Sequence, residues 1–516
     1  MSSDRASLNE TMVEPDDEFN KQLVANVHPA DWTNPIPSGR YNLVVIGAGT
    51  AGLVTAAVGA SLGARVALVE RHLMGGDCLN VGCVPSKGII RAARAWAAAS
   101  NGRVFGLSPE PEPDRDFGQV MQRMRRLRAE LSRVDSARRF TDLGVDVFIG
   151  NGCFIGPDTV QVGEATLRFK QAAICTGASA AAPPIPGLED VDYLTNETVF
   201  SLTNRPHRLA VIGGGPIGCE MAQSFARFGS HVTLVEQVEH ILPREDTDAA
   251  AVVQEQMRRD GVLFALGAHI DSVERRGDEK LIRYTVEETS YELAIDEILV
   301  GVGRTPNVDG LGLEEAGVGY DKTGVAVDSS LQTSNRRIYA AGDICFPFKF
   351  THMADAMAQI VIQNALFPHP FGLGRAHTSS LIIPWCTYTE PEIAHVGMYE
   401  AEARAKGIEV ETFTQPLDEV DRAVLDGETD GFARVHVKKG SDTIIGATIV
   451  AGHAGSLITE ITVAMKAGAG LGLIGGTIHP YPTQSEAIRK AANLMRKARF
   501  SARQKSILGR WFSWTR

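Results

Sequence analysis

Asn42-Leu43-Val44-Val45-Ile46-Gly47-Ala48-Gly49-Thr50-Ala51-Gly52 reads as a buried strand that breaks into a glycine turn and opens a helix. A short uncharged, branched run of this kind suits a strand covered on both faces, as in a parallel sheet. A second strand follows the helix, Arg65-Val66-Ala67-Leu68-Val69-Glu70, and it ends in an acid. The unit then recurs. Arg208-Leu209-Ala210-Val211-Ile212 runs into Gly213-Gly214-Gly215-Pro216-Ile217-Gly218, and His231-Val232-Thr233-Leu234-Val235-Glu236 closes it. Gly47 to Glu70 and Gly213 to Glu236 are both 23 residues apart. One such motif is weak evidence; two, each in strand–turn–helix–strand context with matching acids, are strong.

Each unit predicts a site for one dinucleotide. Gly47 and Gly213 allow the tight turn, Gly49 and Gly215 let a pyrophosphate approach the backbone, and Gly52 and Gly218 let helix and strand pack closely. The helix N-terminus offers free N–H groups and a positive dipole end to the phosphates. Glu70 and Glu236 can accept from ribose hydroxyls. At Glu236 a carboxylate would repel a 2′-phosphate, and the next arginine is Arg244, so NADH is expected over NADPH. The competing reading, glycine turns with no ligand, leaves the matched acids unexplained.

The rest of the chain fits an ordinary globular protein. Its 516 residues are 44% hydrophobic and 22% charged, with a net charge of −11. That length predicts roughly three domains of ~150 residues. The acidic balance argues against nucleic-acid binding, which needs a basic surface. Seven cysteines, an odd number thinly spread, are not a secreted disulfide framework. The start has no apolar core of the signal-peptide kind, so the reducing cytoplasm is the expected compartment. Tyr41 to Ala64 is uncharged and long enough to cross a bilayer, but strand, glycine turn and packed helix account for the same residues.

Residues 1–40 read as a polar, poorly ordered arm. Gln119 to Phe140 reads as a charged surface helix. Val145 to Ile149 and Thr159 to Val162 suggest an antiparallel meander. Beyond Tyr388, strands at Ala433 to Val437 and Ile444 to Val450 and a helix near Leu457 to Ala467 indicate a separate α+β domain.

Directly after the first acid-ended strand comes Gly75-Gly76-Asp77-Cys78-Leu79-Asn80-Val81-Gly82-Cys83-Val84-Pro85-Ser86-Lys87. A disulfide between Cys78 and Cys83 would close a very short loop and remove little chain entropy, so it is a poor staple. A thiolate at a helix start is stabilised by the dipole and made reactive. Redox use fits better than stability, with buried free thiols as the alternative. Zinc fits poorly, because no second close cysteine or histidine pair completes four ligands, and no metal site is expected.

These motifs, in this order, resemble the class I pyridine nucleotide–disulfide oxidoreductases, a family that includes mercuric reductases and dihydrolipoamide dehydrogenases. The resemblance covers roughly residues 41 to 495. It implies an α/β chain of two doubly wound Rossmann-type dinucleotide-binding domains plus a C-terminal α+β dimerisation domain. Residues 41–186 and 306–378 would form the FAD-binding domain, 187–305 the NAD(P)-binding domain and 379–495 the dimerisation domain, with a basic tail at 496–516.

The resemblance also implies roles. FAD would sit on Gly47, Gly49, Gly52 and Glu70, with Thr176 and Gly177 at the strand end leaving that domain. Asp343, in Ile338-Tyr339-Ala340-Ala341-Gly342-Asp343, would meet the ribityl chain. The nicotinamide dinucleotide would sit on Gly213, Gly215, Gly218 and Glu236. Cys78 would meet the substrate and Cys83 the flavin, with Lys87 and Glu220 a pair near the flavin's reactive edge. Thr389-Glu390-Pro391-Glu392 opens the dimerisation domain. His479-Pro480-Tyr481-Pro482-Thr483-Gln484-Ser485-Glu486 would reach into the partner's active site, so a homodimer with shared sites is expected.

Two departures stand out. Asp77 occupies the place before the first cysteine where the family has threonine; capping a helix is one use for it. Tyr481 falls where disulfide reductases have their catalytic histidine, and His479, two residues earlier, is expected to point elsewhere. A tyrosine, with an ordinary pKa of ~10, is a poor base near neutral pH, which weakens dithiol–disulfide exchange. Thiolates bind soft metal ions directly, and mercuric reductases share the tyrosine. Those enzymes also carry a cysteine pair near the C-terminus, whereas Cys386 is the last cysteine here.

The expected function is therefore passage of electrons from NAD(P)H through FAD and Cys78–Cys83 to an acceptor, mercuric-reductase-like first. A dihydrolipoamide or other disulfide reductase is second, and a redox sensor or scaffold is the reading from another class. Interface packing without chemistry is the alternative for Tyr481. After Glu486 the chain holds nine basic residues and no acid, and ends in Trp511-Phe512-Ser513-Trp514. A solvated tail and a tail that docks on a membrane surface or partner both fit.

Overall fold

The computed structural model describes residues 13–106 and 115–516. In chain order the first elements are α1 (Glu18–Val27), β1 (Arg40–Ile46), α2 (Thr50–Ser61), β2 (Val66–Glu70), α3 (Gly76–Asn80), α4 (Cys83–Ser100), α5 (Phe117–Leu131) and α6 (Ala137–Asp142). Then come β3 (Val145–Ile149), β4 (Gly152–Gly156), β5 (Thr159–Val162), β6 (Ala165–Ile174), β7 (Ala178–Ala180), β8 (Arg208–Ile212), α7 (Pro216–Arg227), β9 (His231–Val235), α8 (Thr247–Arg259) and β10 (Val262–Ala265). The described residues divide into two compact units. The first is 13–106, 115–213, 224–235 and 268–381; the second is 214–223, 236–267 and 382–516.

In the first unit β3, β2, β1 and β6 lie side by side and parallel. The middle of β1 shows no in–out alternation: Leu43, Val44 and Val45 are all fully buried, as a strand covered on both faces requires. The other end of β6 turns back through β5 to β4 as an antiparallel meander. Val145–Ile149 therefore belongs to the parallel sheet and not to the meander. Val145, Val147 and Phe148 are all buried, and Asp146 accepts from the Tyr41 hydroxyl at 2.8 Å, which accommodates the one polar residue that made the strand look half-exposed.

The second glycine motif begins on β8, which pairs in parallel with β9 and with β14 (Glu297–Val300). Between them β11 (Ala268–Arg276), β12 (Glu279–Val286) and β13 (Thr289–Ile295) form an antiparallel sheet. β15 (Arg304–Pro306) pairs with β7, β16 (Tyr320–Asp321) with β17 (Gly324–Val325), and β18 (Ile338–Ala340) returns in parallel to β6. α9 (Thr351–Leu366) completes this unit. Strands that leave and re-enter the first sheet after the β8 segment are the order expected of one dinucleotide domain inserted in another.

The second unit carries β19 (Pro384–Thr387), β20 (Glu392–Gly397), α10 (Glu400–Ala405), β21 (Val410–Pro416), α11 (Asp421–Asp426), β22 (Phe432–Lys438), β23 (Ile444–Ala451), α12 (Ala454–Lys466), α13 (Leu471–Gly476), α14 (Glu486–Arg499) and α15 (Ala502–Trp514). Five of its strands form one sheet in the order β19-β20-β23-β22-β21, all antiparallel. Ile458 and Ile461 of α12 and Ile488 and Ala492 of α14 bury against Val435, Val437 and Ile449 of the sheet. This is the α+β arrangement anticipated.

Two expectations are corrected. The arm before Tyr41 is ordered from α1 onward. Asp17 caps that helix through Asn20 N at 2.8 Å, and Asn20, Leu23 and Val27 are buried, a helical spacing hidden in a polar segment. The charged stretch Gln119 to Phe140 is two helices, broken before Ser136, whose hydroxyl caps α6. Nor is it a surface element throughout. Met121 and Met124 are fully buried, and buried Arg128 donates to Asn80 O at 2.6 Å and Asn20 Oδ1 at 2.7 Å.

Candidate active site

The first glycine turn is built as a cradle. Gly47 has φ +98°, and a side chain there would strike the carbonyl of Cys175. A side chain on Gly52 would strike Gly47 O, whereas Gly49 faces little but the Gly76 Cα at 3.8 Å. The middle glycine therefore looks into open space at the start of α2, whose N-cap supplies no side-chain acceptor. Glu70 Oε2 accepts from Ala48 N at 2.7 Å and Oε1 from His72 N at 2.8 Å. Burial raises its pKa, against the pull of those two amides.

The second turn repeats this chemistry. Gly213 has φ +107° and packs against Gly301 O, while Gly215 meets nothing within 4 Å. Gly214 N donates to Glu236 Oε2, and Gln237 N donates to its Oε1 at 2.7 Å. Gly218 lies within α7. In both units the acid at the strand end ties down the residue after the first glycine, and the middle glycine stays open. Free amides, a helix start and an open glycine are what a pyrophosphate needs.

Cys78 and Cys83 face each other as thiols. Cys83 is the first residue of α4, an 18-residue helix, with no side-chain cap ahead of it. A negative charge there is favoured by the dipole. Its Sγ lies 3.3 Å from Thr351 Oγ1. Cys78 sits in the middle of the five-residue α3 and gains no comparable help. A hydrogen bond with Cys83, and then burial, push its thiol well above the ordinary range. The surroundings of the pair are thus asymmetric: only Cys83 opens a long helix. Lys87 lies one turn along α4 from Cys83.

Asp77 does not cap α3; Gly75 occupies the N-cap. Its carboxylate instead pairs with Arg304, which also donates to Ala178 O and lies 3.4 Å from Asp343 Oδ2. Lys349 Nζ donates to Arg304 O at 2.8 Å. Burial works against the charge on Arg304, and the two carboxylates more than restore it, so its pKa is raised. Burial raises the Asp343 pKa, with Arg304 and Lys349 opposing. Thr176 Oγ1 donates to Asn307 O at 3.0 Å, and Asn307 Nδ2 to Thr176 O at 2.9 Å. Gly177, at φ +67°, accepts from Asn307 N at 3.1 Å. The segment Gly303-Arg304-Thr305-Pro306-Asn307 thus gathers Asp77, Asp343, Thr176 and Gly177. The motifs singled out in the sequence do not include it, although an arginine between glycine and proline, with an asparagine next after the proline, follows a buried strand there.

The C-terminal motif lies in the second unit. Tyr481 is 71% exposed, and its hydroxyl donates to Asp421 Oδ2 at 2.7 Å. That hydrogen bond raises the Tyr481 pKa, away from anything a base needs. His479 turns aside, as expected, with Nε2 at 2.8 Å from Glu460 Oε1. Glu486 is buried. Its Oε1 accepts from Arg489 at 2.6 Å, and its Oε2 is buried with no hydrogen-bond partner among the described residues. Glu220 is buried and accepts from Tyr388 N at 2.9 Å; it lies in the second unit and Lys87 in the first.

Residues 41–359 match the family model of the pyridine nucleotide-disulphide oxidoreductases, and residues 383–492 match that family's dimerisation domain. The chain belongs to the pyridine nucleotide-disulphide oxidoreductase family. A mercuric reductase of Staphylococcus aureus is 36% identical over 455 residues, 88% of this chain and 82% of the relative. A dihydrolipoyl dehydrogenase of Bacillus subtilis is 32% identical over 473 residues, 88% of this chain and 97% of the relative. Among solved structures, the Cu(II) complex of the HOCl-induced flavoprotein disulfide reductase RclA from Escherichia coli is similar with TM-score 0.77 at 28% identity. It covers 87% of this chain and 98% of that one. The fold is accordingly two doubly wound dinucleotide domains plus an α+β dimerisation domain. The protein is an FAD-dependent, NAD(P)H-using disulfide oxidoreductase, and the dimerisation domain supports a homodimer. Among the described residues no helix is long and apolar enough to cross a membrane, so the uncharged stretch from Tyr41 is the family's first strand, turn and helix.

Proposed function

We propose that this oxidoreductase reduces a soft metal ion, mercury(II) first, at the thiols of Cys78 and Cys83, in the cytoplasm. Residues 41–186 with 306–378 would hold FAD, 187–305 the nicotinamide dinucleotide, and 379–495 the dimer contact. The carrying observation is Tyr481. At the place of the family's proton-shuttling histidine stands a phenol whose proton is committed to Asp421 and whose pKa is raised.

FAD, when bound, supplies hydride acceptance from NADH and passes an electron pair to the disulfide. Gly49 and the α2 start would receive its pyrophosphate, Glu70 its ribose, and Asp343 with Arg304 its ribityl side. Lys87, one turn along α4 from Cys83, would act at its reactive edge. Two electrons break the Cys78–Cys83 bond and leave a thiolate at Cys83, under the α4 dipole, and a proton on Cys78. A thiophilic M(II) displaces that proton and is held by both sulfurs. When two electrons leave with the metal as M(0), the S–S bond re-forms. No base is needed to return a proton to a leaving thiol, which is the step a disulfide substrate would require.

A disulfide substrate is the second reading, favoured by the buried carboxylate of Glu486, which is placed to orient an imidazole that this chain lacks. The test is NADH oxidation by the purified holoenzyme with mercury(II), copper(II), lipoamide, glutathione disulfide and quinones. Mercury(II) should support turnover and the disulfides should not. Tyr481→His should raise disulfide reduction by roughly 10²-fold or more, the scale of general acid–base catalysis. A wild-type rate with dihydrolipoamide and NAD of ~10 per second or more, typical of enzymes, would sink the metal reading.

A further inference from the structure

We infer that α15 is a docking helix for an anionic lipid surface. It starts itself: Ser501 Oγ accepts from Gln504 N at 3.2 Å and Gln504 Oε1 accepts from Ser501 N at 2.7 Å, a reciprocal cap needing no tertiary support. None of its 13 residues is buried. Ile507, Trp511 and Phe512 are each more than half exposed, and Trp514 is 77% exposed.

At ~100° per residue, Trp514, Ile507, Trp511, Leu508 and Phe512 occupy one continuous arc. Gln504, in the first turn, is the only polar side chain within it. Arg503 and Arg510 flank the arc beyond Trp514, and Lys505 flanks it beyond Phe512. The far side holds only Ala502, Ser506, Gly509 and Ser513. Basic residues at both borders, aromatic residues at both edges and small residues opposite describe a helix lying in a bilayer interface.

Charge selects the surface. All 62 acidic residues precede position 487, together with 42 of the 51 basic ones. The body is strongly acidic, so an anionic bilayer repels it, and any attraction must come from the nine basic residues of the tail. Each basic side chain near such a surface is worth ~1 kcal/mol, a factor of about five in partitioning.

Flotation of the full-length holoenzyme with vesicles of phosphatidylcholine, with and without phosphatidylglycerol, tests this. Binding should require phosphatidylglycerol and vanish at ~1 M salt, where the Debye length falls to ~3 Å. Arg503→Gln with Arg510→Gln should weaken it roughly twenty-five-fold. Trp511→Ser with Trp514→Ser should abolish it, with flavin content and NADH turnover unchanged. Equal flotation without phosphatidylglycerol, or flotation that survives the tryptophan variant, would overturn the proposal. So would a halved particle mass of that variant by light scattering, which would seat the helix on a second copy.

Discussion

Glu236 shows how far a single residue can be argued. Its two oxygens accept from Gly214 N and from Gln237 N, and Val238 N adds a contact at 3.2 Å. The carboxylate is fixed at the strand end with its charge where a 2′-phosphate would have to sit. The specificity constant for NADH should therefore exceed that for NADPH by tenfold or more, about 1.4 kcal/mol, and Glu236→Ala should narrow the ratio by weakening NADH. A wild-type preference for NADPH would mean that a basic group elsewhere covers the phosphate. Glu236 and Glu70 were readable because spacing alone marks them. Asp77 was not. A carboxylate two residues into a helix looks like a cap, and its actual partner, Arg304, is 227 residues away, where no local pattern reaches.

Among elements, the start of α4 decides the chemistry of the cysteine pair. The sequence places a thiolate at a helix start, and there only the family resemblance separates the two cysteines. The structure adds a physical difference, because Cys83 opens an 18-residue helix while Cys78 lies inside a short one, where its hydrogen bond with Cys83 and burial raise its pKa. Two-electron reduction should produce a thiolate–flavin charge-transfer band that Cys83→Ser abolishes. Cys78→Ser should show the band without reduction. No band in the wild type, with two thiols titrating in the oxidised protein, would remove the redox pair.

The sheet of the second unit makes a different prediction. His395 on β20 is fully buried. Its ring stacks on Tyr399 at 3.7 Å between centroids, and Nε2 faces Gly397 O while Nδ1 faces Thr448 Oγ1. A carbonyl can only accept, so Nε2 carries the hydrogen and Nδ1 accepts from the threonine. Burial pushes its pKa down to about 3. Below pH ~6.5 the unfolded chain takes a proton that the folded one refuses. Stability is thus complete above that pH and lost as pH falls toward the folded value. The loss should reach roughly 3 kcal/mol by about pH 4.5, read as a falling Tm that His395→Gln flattens. A parallel decline in wild type and variant would assign the acid sensitivity to other groups.

For the whole molecule, the open question is which chain completes which site. The two glycine units and the cysteine segment were readable as repeats and spacings, and the C-terminal α+β domain as a change of periodicity. The relation of Tyr481 and Glu486 to the cysteines came only from the family resemblance, because symmetry between chains leaves no mark in one sequence. Glu486 Oε2 has no partner among the described residues of its own chain, and the family's dimerisation domain spans 383–492. If the C-terminal motif serves the partner, Cys78→Ser and Glu486→Gln homodimers should both lose acceptor turnover, for different reasons. Mixing them should restore it. In a C2 heterodimer one site combines both defects, while the other joins an intact Cys78–Cys83 to an intact Glu486. Random exchange of equal amounts makes half the dimers mixed, with one live site each, so about a quarter of wild-type activity should return. If each chain completed its own site, every site in the mixture would carry one defect and nothing would return. Flavin reduction by NADH should stay normal in the Glu486→Gln parent, which separates a failed acceptor step from a failed fold.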